Sequence, residues 1–210
     1  MCADADATLA VILAGGAGVR VDGADKGLLP LNGRPLVEHV LDRLRPQSGR
    51  LLIVANRHLD DYARHAPTVR DEIPGPAGPL AGLMAAFGFL AANRHALPRW
   101  LLTAPVDCPD PPRDLDSRLR AALSARDTAQ CAYVLRGNKP QPLFALYRIG
   151  DHPEAWHASA ERALHEHGSP WRWHATFDTV AVAFDDVGDA LHNLNTPDAF
   201  REYERTHAAT

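Results

Sequence analysis

The stretch TLAVILAGGAGVRVDGADKGLLPL, Thr8 to Leu31, decides the fold. Its first residues, TLAVILA (Thr8 to Ala14), form a short apolar run of the kind that makes a strand covered on both faces. Gly15, Gly16 and Gly18 follow at once, and then Arg20 and Lys26. A turn beyond a parallel strand that must wrap phosphate oxygens needs inward-pointing N–H groups and no Cβ in the way, which glycine allows. The two cations add donors. Neither familiar phosphate fingerprint fits: the dinucleotide pattern needs glycine where Val21 stands, and a P-loop needs Lys directly after its last glycine, whereas Ala24 and Asp25 separate Gly23 from Lys26. A tight turn with solvent-facing charges is the plain alternative.

Outward from this stretch, strand-like and helix-like segments alternate. RLLIVAN (Arg50 to Asn56), TVRD (Thr68 to Asp71) and RWLLTAP (Arg99 to Pro105) read as further buried strands. Between them, LVEHVLDRL reads as a helix with Pro35 at its first position and one stripe of Leu36, Val40, Leu41 and Leu44. HLDDYARHA (His58 to Ala66), PLAGLMAAFGFLAANR (Pro79 to Arg94) and PPRDLDSRLRAALSAR (Pro111 to Arg126) supply three more helices. Such βα alternation predicts an α/β fold: a Rossmann-like, doubly wound, mostly parallel sheet with helices on both faces. Ligands gather at the carboxyl ends of the strands in such sheets, and there stand the glycine loop, Asn56, Asp71 and Asp107. Beyond Asp127 the pattern changes. AQCAYVL and QPLFALYR flank the turn-like RGNKP and are expected to pair antiparallel. A helix PEAWHASAERALHEH with Gly168 just past its end, a strand TVAVAFDD, and a helix TPDAFREYERTH capped by Thr196 complete the chain. One unit is expected over 1–210, with an N-terminal half at about 8–126 and a C-terminal half at about 127–207.

Composition narrows the function classes. The chain has 210 residues, 46% hydrophobic and 23% charged, with a net charge of -4, so it carries no general attraction for nucleic acid or an anionic membrane. Any anion site must be local. Cys2, Cys108 and Cys131 are odd in number and lack CxxC spacing, which predicts neither a disulfide framework nor a thiolate zinc site and fits a reducing cytoplasm. The first residues carry two aspartates and no basic start, unlike a secretory signal, and AGLMAAFGFLAA is too short to span a bilayer. The 11 histidines show no HExxH or paired spacing and read as surface residues. Trp156, Trp171 and Trp173 read as packing residues, although stacking on a heterocycle is open to them.

LAGGAGVRVDGADKGLLPLNGRPLVEHV resembles the signature LAGG-x-x-x-R-x-x-G-x-D-K of the nucleotidyltransferases related to MobA, the molybdenum cofactor guanylyltransferase family. VANRH (Val54 to His58), PGPAGPLAG (Pro74 to Gly82), PVDCP (Pro105 to Pro109) and NLNTP (Asn193 to Pro197) match that family in order. Val21-Asp22 departs from the usual Met-Gly. The resemblance implies a glycosyltransferase-A-like nucleotidyltransferase fold and an enzyme that uses GTP and Mg²⁺ on molybdopterin. It further implies exchange with molybdenum-insertion proteins and molybdoenzyme targets. Residue by residue, it gives Leu13, Ala14, Gly15, Gly16, Asn56 and Asp71 to the nucleotide, Lys26 and Arg20 to the phosphates, and Asp107 to the metal. Gly82, Asn193 and Asn195 fall to the acceptor.

The residue types suit those roles. Magnesium is held by one or two carboxylates plus substrate phosphates, so a single Asp107 at a strand end suffices, although a turn or helix-cap Asp would look the same in sequence. A carboxylate such as Asp71 can accept from guanine N1–H and N2–H₂ together, and an exposed turn acid is the alternative. Asn193 and Asn195, two apart on extended chain, face the same way, unless Asn195 only begins the turn into its helix. Cys108 has no base beside it and is expected to pack, not react. The expected reaction is transfer of GMP from GTP to molybdopterin with loss of pyrophosphate. A cytidylyltransferase on the same acceptor and a catalytically silent nucleotide- or molybdopterin-binding module are the rivals, and a dinucleotide-binding dehydrogenase is the weakest because the glycine spacing is wrong.

Overall fold

In the computed structural model the described residues are 7–15, 25–71, 73 and 78–207. β1 (Thr8–Leu13) is wholly buried and splits by its period of two: Ala10 and Ile12 enter one core, Leu9, Val11 and Leu13 the other. That division explains why the run shows no polar alternation. After the loop, a 3-10 turn (Lys26–Leu28) leads to a small hairpin of β2 (Pro30–Leu31) and β3 (Arg34–Pro35). α1 (Leu36–Leu44) follows, burying Leu36, Val37, Val40, Leu41 and Leu44 on one face. At about 1.5–3 kcal/mol for each fully buried aliphatic side chain, that stripe is what holds the helix to the sheet. Pro35 stands one place earlier than expected. Its ψ of 139° keeps it extended in β3, so the helix begins at Leu36.

The alternation then runs as the sequence predicts: β4 (Arg50–Ala55), α2 (Leu59–Ala63), β5 (Thr68–Arg70), α3 (Pro79–Ala92), β6 (Trp100–Pro105) and α4 (Leu115–Ala125). α2 is shorter than expected because His58 sits at φ 50°, a left-handed residue from which the helix has to start afresh. β7 (Cys131–Arg136) and β8 (Lys139–Arg148) form the expected antiparallel pair, turning at Gly137 with φ 55°. α5 (Pro153–Glu166), α6 (Pro170–His174), β9 (Thr179–Ala183) and α7 (Pro197–Thr206) complete the chain. Gly168, at φ 64°, donates to Ala163 O at 2.9 Å and closes α5.

Among the described residues one seven-stranded sheet runs through the chain in the order β5-β4-β1-β6-β8-β7-β9, and only β8 is antiparallel to its neighbours. Helices cover both faces: α1 and α4 on one core, α3 and α5 on the other. β8 carries an irregularity that the alternation does not reveal. Tyr133 pairs with Ala145 but Val134 pairs with Gln141, so 142–144 fall out of register. Pro142 has no N–H to continue the ladder, which places the bulge here. Because β8 runs against its neighbours, this bulge lies at the edge where β1, β4, β5 and β6 end. No helix among the described residues is long and apolar enough to cross a membrane.

Candidate active site

The cation and carboxylate that the sequence marks out are in contact. Lys26 Nζ donates to Asp107 Oδ2 at 3.2 Å and to Asn195 Oδ1 at 2.6 Å, joining three segments that are far apart in the chain. Each is set by its own local structure. Lys26 opens the 3-10 turn, whose preceding residue Asp25 accepts from Gly27 N–H at 3.2 Å and from the Tyr62 hydroxyl at 2.5 Å through one oxygen. A Cβ on Gly27 would strike that hydroxyl and lie 2.9 Å from Val106 Cγ2, so glycine lets the turn close against α2 and against the residue before Asp107. Burial and the Asp25 carboxylate both push the Tyr62 phenol upward, which keeps it a neutral donor.

Asp107 follows β6. Val106 N–H extends the parallel ladder to Leu13 O at 3.1 Å, and the chain then turns. Leu194 N–H donates to Asp107 O at 2.7 Å, pinning NLNTP to this turn. α4 begins only at Leu115, so Asp107 is no helix cap. Asn195 likewise does more than begin a turn, since Thr196 caps α7 through Ala199 N–H at 3.2 Å while the Asn195 amide faces Lys26. Asp107 Oδ1 is buried and has no hydrogen-bond partner among the described residues. An orphaned carboxylate oxygen beside a cation position fits a hard divalent metal, and no trio of His, Cys, Asp or Glu among the described residues could hold one alone. The arrangement therefore suits a metal that takes one carboxylate and completes its shell with phosphates and water.

A second group of the expected site residues lies across the ends of β1, β4 and β5. A Cβ on Gly15 would stand 3.6 Å from both Asn56 N and Asp71 Oδ2, which shows how closely the three residues converge. Asp71 is 8% exposed, which removes the exposed turn-acid alternative. Burial raises its pKa and the Ile73 N–H opposes that rise. Leu13 O accepts from Val106, and the Ala14 and Gly15 N–H groups both donate to Val54 O at 2.8 and 3.0 Å, so these backbone atoms are already engaged in the sheet. Gly82 is buried in α3, where an added Cβ would stand 3.3 Å from Leu13 Cδ2. Gly16, Arg20 and the Val21-Asp22 departure lie outside the described residues, as do Gly18, Gly23 and 74–77.

On the other side of Asp107, a cavity of about 210 Å³ is lined by Pro105, the bulged Leu143 and Phe144, Pro170, Trp171 and Asn193. Asn193 Oδ1 is buried without a partner among the described residues. Trp171 is 45% exposed, the one large exposed hydrophobic among the described residues, and it meets Tyr133 edge-on at 5.5 Å. Of the two readings of Trp171, packing and stacking on a heterocycle, its exposure keeps the second open. Trp156 and Trp173 do pack in the core as expected. His174 corrects the surface reading: it is 1% exposed, bonded to the Tyr147 hydroxyl at 2.7 Å, and burial lowers its pKa to about 4. Cys108 is wholly buried with its thiol pushed up to about 12, chiefly by burial, and so packs.

Residues 10–176 match the family model of the MobA-like NTP transferase domain. A protein from Shewanella sp. (strain MR-4) named molybdenum cofactor guanylyltransferase is 40% identical over 192 residues, covering 90% of this chain and 91% of the relative. A protein of the same name from Shewanella amazonensis is 38% identical over 199 residues, or 93% and 95% of the two chains. Among solved structures, molybdopterin-guanine dinucleotide biosynthesis protein A from Archaeoglobus fulgidus superposes with a TM-score of 0.72 over 96% of this chain and 100% of its own, at 20% identity. That last likeness shows the shared fold. The chain belongs to the MobA-like NTP transferase family, and is a nucleotidyltransferase.

Proposed function

We propose that this chain transfers GMP from GTP to molybdopterin, releasing pyrophosphate and leaving the guanine dinucleotide form of the cofactor. The observation that carries the reading is the meeting of Lys26, Asp107 and Asn195 at the carboxyl edge of the sheet. The guanylyltransferase relatives supply the acceptor's identity.

The geometry supports a division of labour. Asp71 and Asn56 face the base, with the ionised Asp71 carboxylate accepting from the N1–H and N2–H₂ edge that cytosine and uracil lack. Lys26 turns from Asp107 to the triphosphate, assisted by Arg20 and by the amides after Gly15. Asp107 would hold the Mg²⁺ that such a transfer uses, and that ion would supply Lewis acidity to the phosphate oxygens. Asn193, Asn195 and the Trp171 cavity take the acceptor. An oxygen of its terminal phosphate forms the new bond to the α-phosphorus as the bond to pyrophosphate breaks. The attacker is already an anion, so the protein supplies no covalent intermediate and no base. Its task is to align two negatively charged groups and neutralise their charge. The 8–126 half is assigned to the nucleotide and the 127–207 half to the acceptor. A reducing cytoplasm suits the free, buried Cys108 and Cys131, and molybdenum-insertion proteins and molybdoenzymes are the assigned exchange partners.

Competition tests the assignment. Purified protein with Mg²⁺ and molybdopterin should incorporate label from α-labelled GTP, and CTP in tenfold excess should not suppress it. Suppression by CTP would transfer the chain to the cytidylyl reading, and GTP binding without pyrophosphate release would make it a silent binding module.

A further inference from the structure

Behind the site, the same segments meet a second time. Asp110, on the turn that carries Asp107, accepts from Arg43 Nε at 2.8 Å and Nη2 at 2.5 Å through Oδ1, and from the Tyr203 hydroxyl through Oδ2. Burial works against the charge on Asp110, but Tyr203 and Arg43 outweigh it and hold the carboxyl below its ordinary range. Tyr203 stands on α7, the helix that NLNTP leads into, and its ring stacks on His207 at 4.1 Å. α7 also rests on the hairpin that follows Lys26. Leu31, Leu36, Leu194 and Phe200 form a separate buried cluster there, and Asn32 N–H donates to Glu204 at 2.9 Å. One helix thus touches the segments that carry all three of Lys26, Asp107 and Asn195.

We infer that Tyr203 is a positioning residue: its hydroxyl, anchored on Asp110, fixes the setting of α7 and so holds Asn193 and Asn195 at their stations beside Asp107. The inference rests on the proposed acceptor role of the two asparagines. Apolar packing is non-directional, and beside the backbone donors Asn32 N–H to Glu204 and Leu194 N–H to Asp107 O, the Tyr203 hydroxyl is the side-chain group of α7 that ties it to the Asp107 turn. A hydrogen bond to a charged acceptor supplies direction as well as strength. Small displacements of a reacting group are costly in rate, so this anchor acts on turnover of the acceptor and not on capture of the nucleotide.

Tyr203→Phe keeps the ring and removes only the hydroxyl. With GTP, Mg²⁺ and molybdopterin, it should lower kcat/KM for molybdopterin by about tenfold and leave KM for GTP within about twofold. In an Asn193→Ala, Asn195→Ala background, the same change should cost less than about twofold further, because the residues it acts through are already gone. Ile149→Val, in the core at the opposite end of β8, provides a variant with lowered melting temperature, and it should leave both kinetic constants in place. Equal losses from Tyr203→Phe in both backgrounds, or a KM for GTP that rises in step with that for molybdopterin, would overturn the inference. Failure of the unmodified protein to transfer GMP would instead overturn the functional reading, and the inference with it.

Discussion

A buried carboxylate oxygen with no donor costs about 1–3 kcal/mol relative to a satisfied one. Asp107 Oδ1 is such an atom, at the end of a strand and beside a lysine. At a strand end beside a lysine, a bound cation would relieve that cost. Asp71 is the second telling residue, because burial raises its pKa in a position that faces Gly15 and Asn56. Reading guanine needs the ionised form, so lowering pH should weaken GTP binding from above the ordinary carboxylate range. Asp71→Asn keeps the size but offers one acceptor and two donors. We expect GTP affinity to fall by about tenfold, the preference over CTP to narrow, and the pH dependence to flatten, all measurable by titration calorimetry with Mg²⁺. Unchanged discrimination would remove Asp71 from base recognition.

At the scale of elements, the site depends on how closely short segments approach one another. The Lys26 turn reaches Asp107 because Gly27 lets it press on Tyr62 and Val106. Gly27→Ala should therefore destabilise the protein by about 1–3 kcal/mol through overpacking and lower turnover at least tenfold. Tyr62→Phe in the same chain should recover part of both losses by removing the struck hydroxyl, as thermal melts and initial rates would show. This dependence also explains what the sequence disclosed and what it hid. Strands and helices were readable because apolar period is a local property, and the strand ends pointed to Asn56, Asp71 and Asp107 because topology puts ligands there. The bulge at 142–144 was hidden, since QPLFALYR alternates well enough for a regular strand and only the cross-strand register shows the break. His174 was hidden because a lone histidine at the end of the five-residue PWRWH carries no spacing signal, yet it packs among Tyr133, Tyr147 and Phe177. Tyr203 was visible only as one turn beyond Phe200 on an amphipathic helix, with nothing to mark its partner, Asp110.

At the scale of the molecule, a sheet with one reversed strand brings the residues proposed for the nucleotide and for the acceptor to one edge. The parallel strands β1, β4 and β5 bring Gly15, Asn56 and Asp71 together on one side of Asp107. β8, entering from the opposite direction, opens its bulge and the Trp171 cavity on the other side. Resemblance to a family located the motifs along the chain, but the pairing of Lys26 with Asp107 and Asn195 required the fold, because the contacts join segments separated by 81 and 169 positions. The central claim is that this cation and this carboxylate act together on GTP and its metal. GMP transfer to molybdopterin by Lys26→Ala and Asp107→Ala tests it most directly. Each should lower kcat by about 100-fold or more, the scale of a lost transition-state donor, while the fold persists by circular dichroism. Turnover near that of the unmodified protein in both variants would contradict the account.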